Sequence, residues 1–146
     1  MWWGGEDMKR YVVGFAFTKS LTHVLLVEKT KPEWQKGFYN GIGGKIEDGE
    51  TPIQAMNREA KEEAGFELDW QYKGYMEGIN NDGSKFECHI FYAYDNRVFS
   101  YRQIENEPLK LMKFPLEIET PIINNLNYHL PYGACKDGSS FLKITY

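Results

Sequence analysis

The sequence predicts a single α+β domain, an α/β/α sandwich in which a mixed sheet is flanked by helices, and three observations carry that prediction. The 146 residues suit one hydrophobic core. Short runs of β-branched and aromatic residues recur along the chain with turn residues between them. One stretch, Thr51 to Gly65, carries both a helix start and a helix stop. No repeat, low-complexity tract or interdomain linker interrupts this order, so all the elements share one core. The domain is expected over residues 8–146, and residues 1–7 read as a flexible N-terminal extension, since Met8 would serve equally well as a start.

Arg10 to Phe17 and Thr22 to Glu28 read as two strands of a hairpin, with Lys19-Ser20 between them. A long polar loop with Pro32, Trp34 and Gly37 leads into Gly41-Ile42-Gly43-Gly44, and Glu47-Asp48-Gly49-Glu50 makes a turn. Thr51 then caps a helix, with Pro52 at its first position and Gln54 completing a capping box. Ile53, Met56, Ala60 and Ala64 form its apolar stripe. Phe66 to Glu77 and Phe86 to Tyr94 read as an antiparallel pair around the turn 80–84, and Leu109 to Phe114 as a further strand. Thr120-Pro121 opens a second helix that stops near Pro131, and Phe141 to Tyr146 closes the sheet.

Composition narrows the function classes. Hydrophobic residues at 42% and charged residues at 26% fit a globular protein and exclude a disordered or fibrous one. A net charge of −4 without a basic stripe argues against polymeric nucleic acid as a partner, while small anions stay compatible wherever carboxylates gather cations. Cys88 and Cys135 lie far apart with no CxxC spacing, so neither a disulfide framework nor a zinc cluster is indicated and a reducing cytoplasm is the expected setting. No apolar run reaches transmembrane length. His23, His89 and His129 make no metal-binding pattern and read as ordinary strand or helix residues.

The chemistry concentrates in the capped helix. Glu59, Glu62 and Glu63 stand at i, i+3 and i+4, so their carboxylates leave one sector of its circumference. Like charges at such spacings destabilise a helix by roughly 0.2–0.5 kcal/mol per pair, a cost that a bound cation removes. Hard cations such as Mg²⁺ take oxygen ligands of this kind together with substrate phosphates, and Mn²⁺ is the natural substitute. On the helical wheel Glu59 and Glu63 lie nearer the apolar stripe than Glu62 and are expected to be the less solvated.

The order Gly44, five residues, Glu50, seven residues, Arg58-Glu59-Ala60-Lys61-Glu62-Glu63-Ala64-Gly65-Phe66 resembles the Nudix box throughout. Ala60 stands where that family usually has a larger aliphatic residue. The resemblance implies the Nudix α/β/α fold and a hydrolase that cleaves a nucleoside diphosphate linkage by attack of a metal-activated water on phosphorus. It makes Glu59, Glu62 and Glu63 metal-binding residues, with the Gly44 carbonyl as a further ligand, and gives Arg58 the task of holding a box glutamate through its planar fork. Glu50 supports the loop and helix. The general base is expected to be Glu59 or Glu63 in the box, or a loop acid ahead of the Leu109 strand, where the family often places an extra ligand or base; among the loop acids Glu107 is the first choice and Glu105 the second.

Phe38-Tyr39-Asn40-Gly41-Ile42-Gly43-Gly44-Lys45 resembles the stretch found in Nudix enzymes that sanitise oxidised purine nucleoside triphosphates, with Tyr39 in place of a tryptophan. Asn40 offers a donor and an acceptor to a purine edge, or else serves the tight turn that Asn-Gly favours. Trp34, Phe38 and Tyr39 are candidates to stack on a base, and Lys45 either meets a phosphate or is solvated. Asn124, Asn125 and Tyr128 line a pocket or follow helix amphipathicity. The leading expectation is a Mg²⁺-dependent hydrolase of a nucleoside triphosphate, with 8-oxo-dGTP or a related purine as candidate, giving monophosphate and pyrophosphate. The alternatives are an ADP-ribose or dinucleotide pyrophosphatase and, in another class, a non-catalytic nucleotide sensor. The partner is a small nucleotide, with no membrane, and the chain is a monomer or homodimer.

Overall fold

The computed structural model describes residues 8–80, 82–135 and 141–146, so the extension expected at residues 1–7 lies outside the described residues. Among these residues eight strands form one mixed sheet with an α-helix on either face. The strands are β1 (Met8–Phe17), β2 (His23–Glu28), β3 (Tyr39–Asn40), β4 (Ile42–Lys45), β5 (Gln71–Ile79), β6 (Lys85–Tyr94), β7 (Leu109–Lys113) and β8 (Leu142–Thr145). The helices are α1 (Pro52–Ala64) and α2 (Leu126–Ala134). Their order in the sheet is β3-β2-β1-β6-β5-β8, with β4 added to β1 and β7 to β2. None of the described helices is long and apolar enough to cross a membrane.

Strand β1 is the spine. It runs parallel to β6 along its whole length, from Met8 beside Lys85 to Phe17 beside Tyr94. On its other edge it divides its partners: Tyr11–Gly14 pair with β4 and Ala16–Phe17 with β2, so the sheet forks at Phe15. Alternation along the strands then sorts the core into two layers. Val12, Ala16, Leu25, Ile42, Phe91 and Ala93 face α1, with Met56 and Trp70 packed on them. Val13, Phe15, Phe17, Leu26, Ile90 and Tyr92 face α2, meeting Leu126 and Leu130.

Helix α1 follows its sequence signals. The Thr51 hydroxyl accepts from the Gln54 backbone N–H while the Gln54 side-chain Oε1 accepts from the Thr51 N–H, and Gly65 ends the helix at φ 73°, where a glycine is the unstrained choice. The buried arc differs from the predicted stripe: Ile53 is 39% exposed and Ala55 fully buried. The helix crosses β4 and β1 with the Gly43–Gly44 backbone beneath it, and this turns the arc toward Ala55, taking Glu59 and Glu63 inward.

Other expectations are corrected at their ends. Phe66 to Trp70 do not begin β5; Leu68 and Trp70 plug the layer under α1 instead, and laddering starts at Gln71. The second helix begins at Leu126, because Pro121–Ile123 are used as an extended lead-in, with the Tyr39 N–H donating to Pro121 O (2.7 Å) and the Ile123 N–H to Tyr39 O (3.0 Å). It also continues past Pro131. The Tyr92 hydroxyl donates to His129 O and the Tyr94 hydroxyl to Gly133 O, anchoring to β6 a helix whose proline lacks an amide donor. Strands β3 and β4 arise where no strand was predicted; their pairing with β2 and β1 supplies what their glycine-rich sequence lacks in propensity.

Candidate active site

The site assembles where β4, the loop 46–50, α1 and the segment before β7 meet. Arg58 organises it. Its guanidinium grips the Glu50 carboxylate with two bonds, Nε to Oε2 at 2.7 Å and Nη2 to Oε1 at 3.0 Å. Nη1 reaches Glu59 Oε2 at 3.1 Å and Glu62 Oε2 at 3.2 Å, and Nη2 also donates to the Lys45 carbonyl at 2.9 Å. One side chain therefore ties the end of β4 and the loop to two carboxylates of the helix. The Arg58 hydrogen bonds hold Glu50 below the usual carboxylate range, and Glu50 in turn raises the guanidinium's pKa, so both stay charged.

Burial grades the three helix acids as the wheel implied. The Glu62 side chain is 49% exposed and that of Glu59 13%. Burial raises Glu59 against the opposing pull of Arg58. Glu63 lies deepest. Burial, reinforced by the Glu59 charge, pushes it up to about 9, and its Oε2 is buried with no hydrogen-bond partner.

Glu59, Glu62 and Glu105 bring one oxygen each within 4.8 Å of one another. Gly44 meets the same cluster from β4, for a Cβ there would lie 2.7 Å from the Glu59 carboxyl carbon and closer still to its oxygen. All these donors are oxygens, they carry like charge at close range, and a buried carboxylate oxygen beside them lacks a partner; a hard divalent cation is the group this set fits.

The loop acids divide differently from the expected ranking. Glu105, the second choice, joins the cluster. Glu107 accepts from the Thr30 N–H at 2.6 Å, the Thr30 hydroxyl at 3.0 Å, the Lys31 N–H at 3.3 Å and Lys29 Nζ at 3.0 Å. Burial alone would raise its pKa, but the Thr30 N–H and Lys29 outweigh that and hold it low. It fastens the segment after β2 to the segment before β7. Lys29, which the sequence reading passed over, is the cation whose charge acts on both Glu107 and Glu63. Its only sequence signal is a basic residue at the end of a buried strand.

The expected substrate residues scatter. Asn40 sits in β3 at the fork, its Oδ1 accepting from the Gly41 N–H at 2.8 Å. Tyr39 leaves the stacking set: its ring is buried against the α2 layer, with Lys110 Nζ 5.7 Å from its centroid and its hydroxyl toward Glu28. Trp34 stands exposed on a single 3-10 turn, Glu33–Gln35. Phe38 lines a cavity of about 540 Å³ with Pro115, Ile122 and Leu130, which holds none of the helix acids. The Lys45 side chain is exposed.

Comparison with known proteins bears on the family and the fold. A model of the NUDIX domain matches residues 8–113. The 8-oxo-dGTP diphosphatase of Proteus vulgaris is 30% identical over 63 residues, which cover 43% of this chain and 56% of that protein. The human 8-oxo-dGDP phosphatase NUDT18 is 42% identical over 55 residues, 38% of this chain and 17% of that protein. The chain thus spans little more than half of one curated relative and under a fifth of the other. Among solved structures, a MutT protein from Bacillus halodurans superposes with a TM-score of 0.66 at 20% identity, covering 94% of this chain and 90% of that one, a likeness of fold.

Proposed function

This chain belongs to the NUDIX domain family, and from that premise we propose that it hydrolyses the diphosphate linkage of a nucleoside triphosphate with a divalent cation, Mg²⁺ first and Mn²⁺ as substitute, yielding monophosphate and pyrophosphate. The observation that carries this reading is the convergence of Glu59, Glu62 and Glu105 beside Gly44, with Arg58 fastening two of the three. A pure binding module has little use for such a set. Purine nucleotides oxidised at the base, 8-oxo-dGTP among them, are the proposed substrate class, supported by what the two curated relatives are said to act on and by Asn40 at the fork. A cytoplasmic setting belongs to the same reading.

Glu59, Glu62, Glu105 and the Gly44 carbonyl are the residues that would hold the cation, with Glu63 behind them. A divalent cation held there would supply Lewis acidity at phosphorus and lower the pKa of a water, and its charge would favour the ionised form of Glu63. Arg58 keeps Glu59 and Glu62 aimed by sharing Nη1 between them, so that no side-chain reorganisation is needed as substrate enters. Glu63, shielded from bulk water and unpartnered at Oε2, is placed to accept the proton of the attacking water once ionised. Lys29, held by Glu107, places positive charge beside a site that must accept a polyphosphate.

The test is turnover of 8-oxo-dGTP, dGTP, dCTP, ADP-ribose and a dinucleotide with Mg²⁺ or Mn²⁺, for wild type and Glu62→Gln. Monophosphate and pyrophosphate should form from the oxidised purine triphosphate, with kcat in the variant lower by roughly 10²-fold or more. Turnover of ADP-ribose or the dinucleotide alone would sink the triphosphate reading, and metal-dependent turnover untouched in Glu62→Gln would remove the box from the mechanism.

A further inference from the structure

Strand β8 ends the sheet, and among the described residues no strand pairs with its outer edge. It runs parallel to β5, with Lys143 beside Tyr75, Ile144 beside Met76 and Thr145 beside Glu77. The Tyr146 N–H donates to Glu77 O at 2.8 Å, so the backbone groups of Leu142, Ile144 and Tyr146 point to β5 and, by alternation, those of Lys143 and Thr145 point outward. An edge of this kind is a template for another strand, and proteins commonly blunt it with lysine and proline. Strand β7, paired on one side to β2, has that protection in Lys110 and Lys113 between Pro108 and Pro115. Strand β8 has one lysine and no proline.

Apolar side chains gather along this edge. Ile144 packs with Met76 in the α2 layer, and Tyr146 and Ile79 stand exposed at the ends of β8 and β5. On the opposite face the exposed Phe141 ring meets the Tyr72 ring edge-on at 5.2 Å. Lys143 Nζ lies over the Tyr75 ring at 5.8 Å.

The edge is complementary to itself, and charge chooses the register. Antiparallel pairing with Lys143 opposite Lys143 of a second copy sets like charges face to face, which is destabilising. Thr145 opposite Thr145 leaves the outward groups of Lys143 without a partner in the other β8. Lys143 opposite Thr145 uses all the outward groups, in two hydrogen-bonded pairs about a twofold axis at Ile144. Ile144 then meets Ile144 of the second copy in a close pair, and Leu142 faces Tyr146. On the other face Glu77 of the second copy follows its Thr145 in the same row, two strand spacings or roughly 10 Å from Lys143, a gap that a lysine and a glutamate close together.

We infer that two copies of this chain join β8 to β8 in that register, making one continuous sheet, with Lys143 of each copy paired to Glu77 of the other. The carboxylate site lies toward β4, β2 and β7, across the sheet from β8, so each copy keeps its own site open.

Sedimentation equilibrium of the full chain across the micromolar range, with melting temperatures and amide hydrogen exchange, tests this. Wild type should approach twice the monomer mass, and exchange at Lys143 and Thr145 should slow as concentration rises. Thr145→Pro, which removes an outward donor, and Lys143→Glu, which sets two acids against each other, should each weaken association about tenfold or more. Lys143→Glu combined with Glu77→Lys should restore it. If Thr145→Pro does not fold, the charge exchange decides. Wild type that stayed monomeric at every concentration would overturn the inference. So would a dimer that survived both single variants, since the copies would then meet elsewhere. Protection of the two amides independent of concentration would mean that another part of the same chain covers the edge, and would overturn it as well.

Discussion

Arg58 and Glu50 face each other as two parallel hydrogen bonds across eight residues of sequence, fork to fork, at 2.7 and 3.0 Å. The pair joins the loop before α1 to the middle of the helix and leaves Nη1 free for Glu59 and Glu62. A lysine carries the charge but cannot divide it among three carboxylates. Arg58→Lys should therefore lower kcat about tenfold to hundredfold, as loss of an orienting partner does at metal sites, and raise the Mg²⁺ concentration needed for half-maximal rate. A steady-state Mg²⁺ titration checks both.

Gly44 admits no side chain, since its missing Cβ would overlap the Glu59 carboxylate. Gly44→Ala should displace that carboxylate, costing activity about as heavily as Arg58→Lys, while overpacking costs only about 1–3 kcal/mol of stability. Parallel kinetics and denaturant melts would separate the two effects. A variant with normal activity would show that Glu59 does not act from its observed position.

The two loop acids should part company on substitution. Glu105→Gln removes a member of the carboxylate cluster and should raise the Mg²⁺ requirement with little change in melting temperature. Glu107→Gln breaks a charge-assisted anchor to Thr30 and Lys29 and should lower the melting temperature by several degrees, the shift expected from a loss of about 1.5–3 kcal/mol in a domain of this size, with a smaller effect on Mg²⁺ affinity. The reverse pattern would return Glu107 to the role of ligand.

Glu63 makes the cation-free protein sensitive to alkali. Burial raises its pKa from the ordinary 4.5 to about 9 in the folded state, which therefore keeps a proton that the unfolded chain gives up. Stability contributed this way is present below pH 4.5 and is lost as the pH rises through 9. Protein treated with chelator should melt lower at pH 9 than at pH 6, Glu63→Gln should flatten that slope, and added Mg²⁺ should restore stability at the alkaline end. Thermal melts across the pH range, with and without Mg²⁺, provide the check.

The helix and its acids were legible because local rules decide them. Thr51, Pro52, Gln54 and Gly65 specify both ends of α1 from within the chain, and residue spacing alone sets the angles of Glu59, Glu62 and Glu63. What escaped depends on partners distant in sequence. Tyr39 looked available for stacking, but its burial comes from Lys110 and from the lead-in of α2, far along the chain. The start of α2 was misplaced because Pro121 suits a first helical turn equally well as an extended strap, and only its bond to Tyr39 decides between them. Glu105 and Glu107 are two residues apart in one acidic loop, and nothing local tells which one turns to Thr30. Ala55 displaced Ile53 for a similar reason: the helix axis is set by the β4 backbone beneath it.

The capped ends of α1 have one more consequence, best seen by treating the helix as a screw. Thr51 and Gln54 fix where its thread begins, and the grip of Glu50 on Arg58 fixes its phase seven residues beyond the cap. Each residue advances the thread by about 100°. Inserting or deleting one residue between Thr51 and Arg58 would keep the helix and its fold but swing all three glutamates about a quarter turn off the site, so this stretch tolerates changes of letter far better than changes of length.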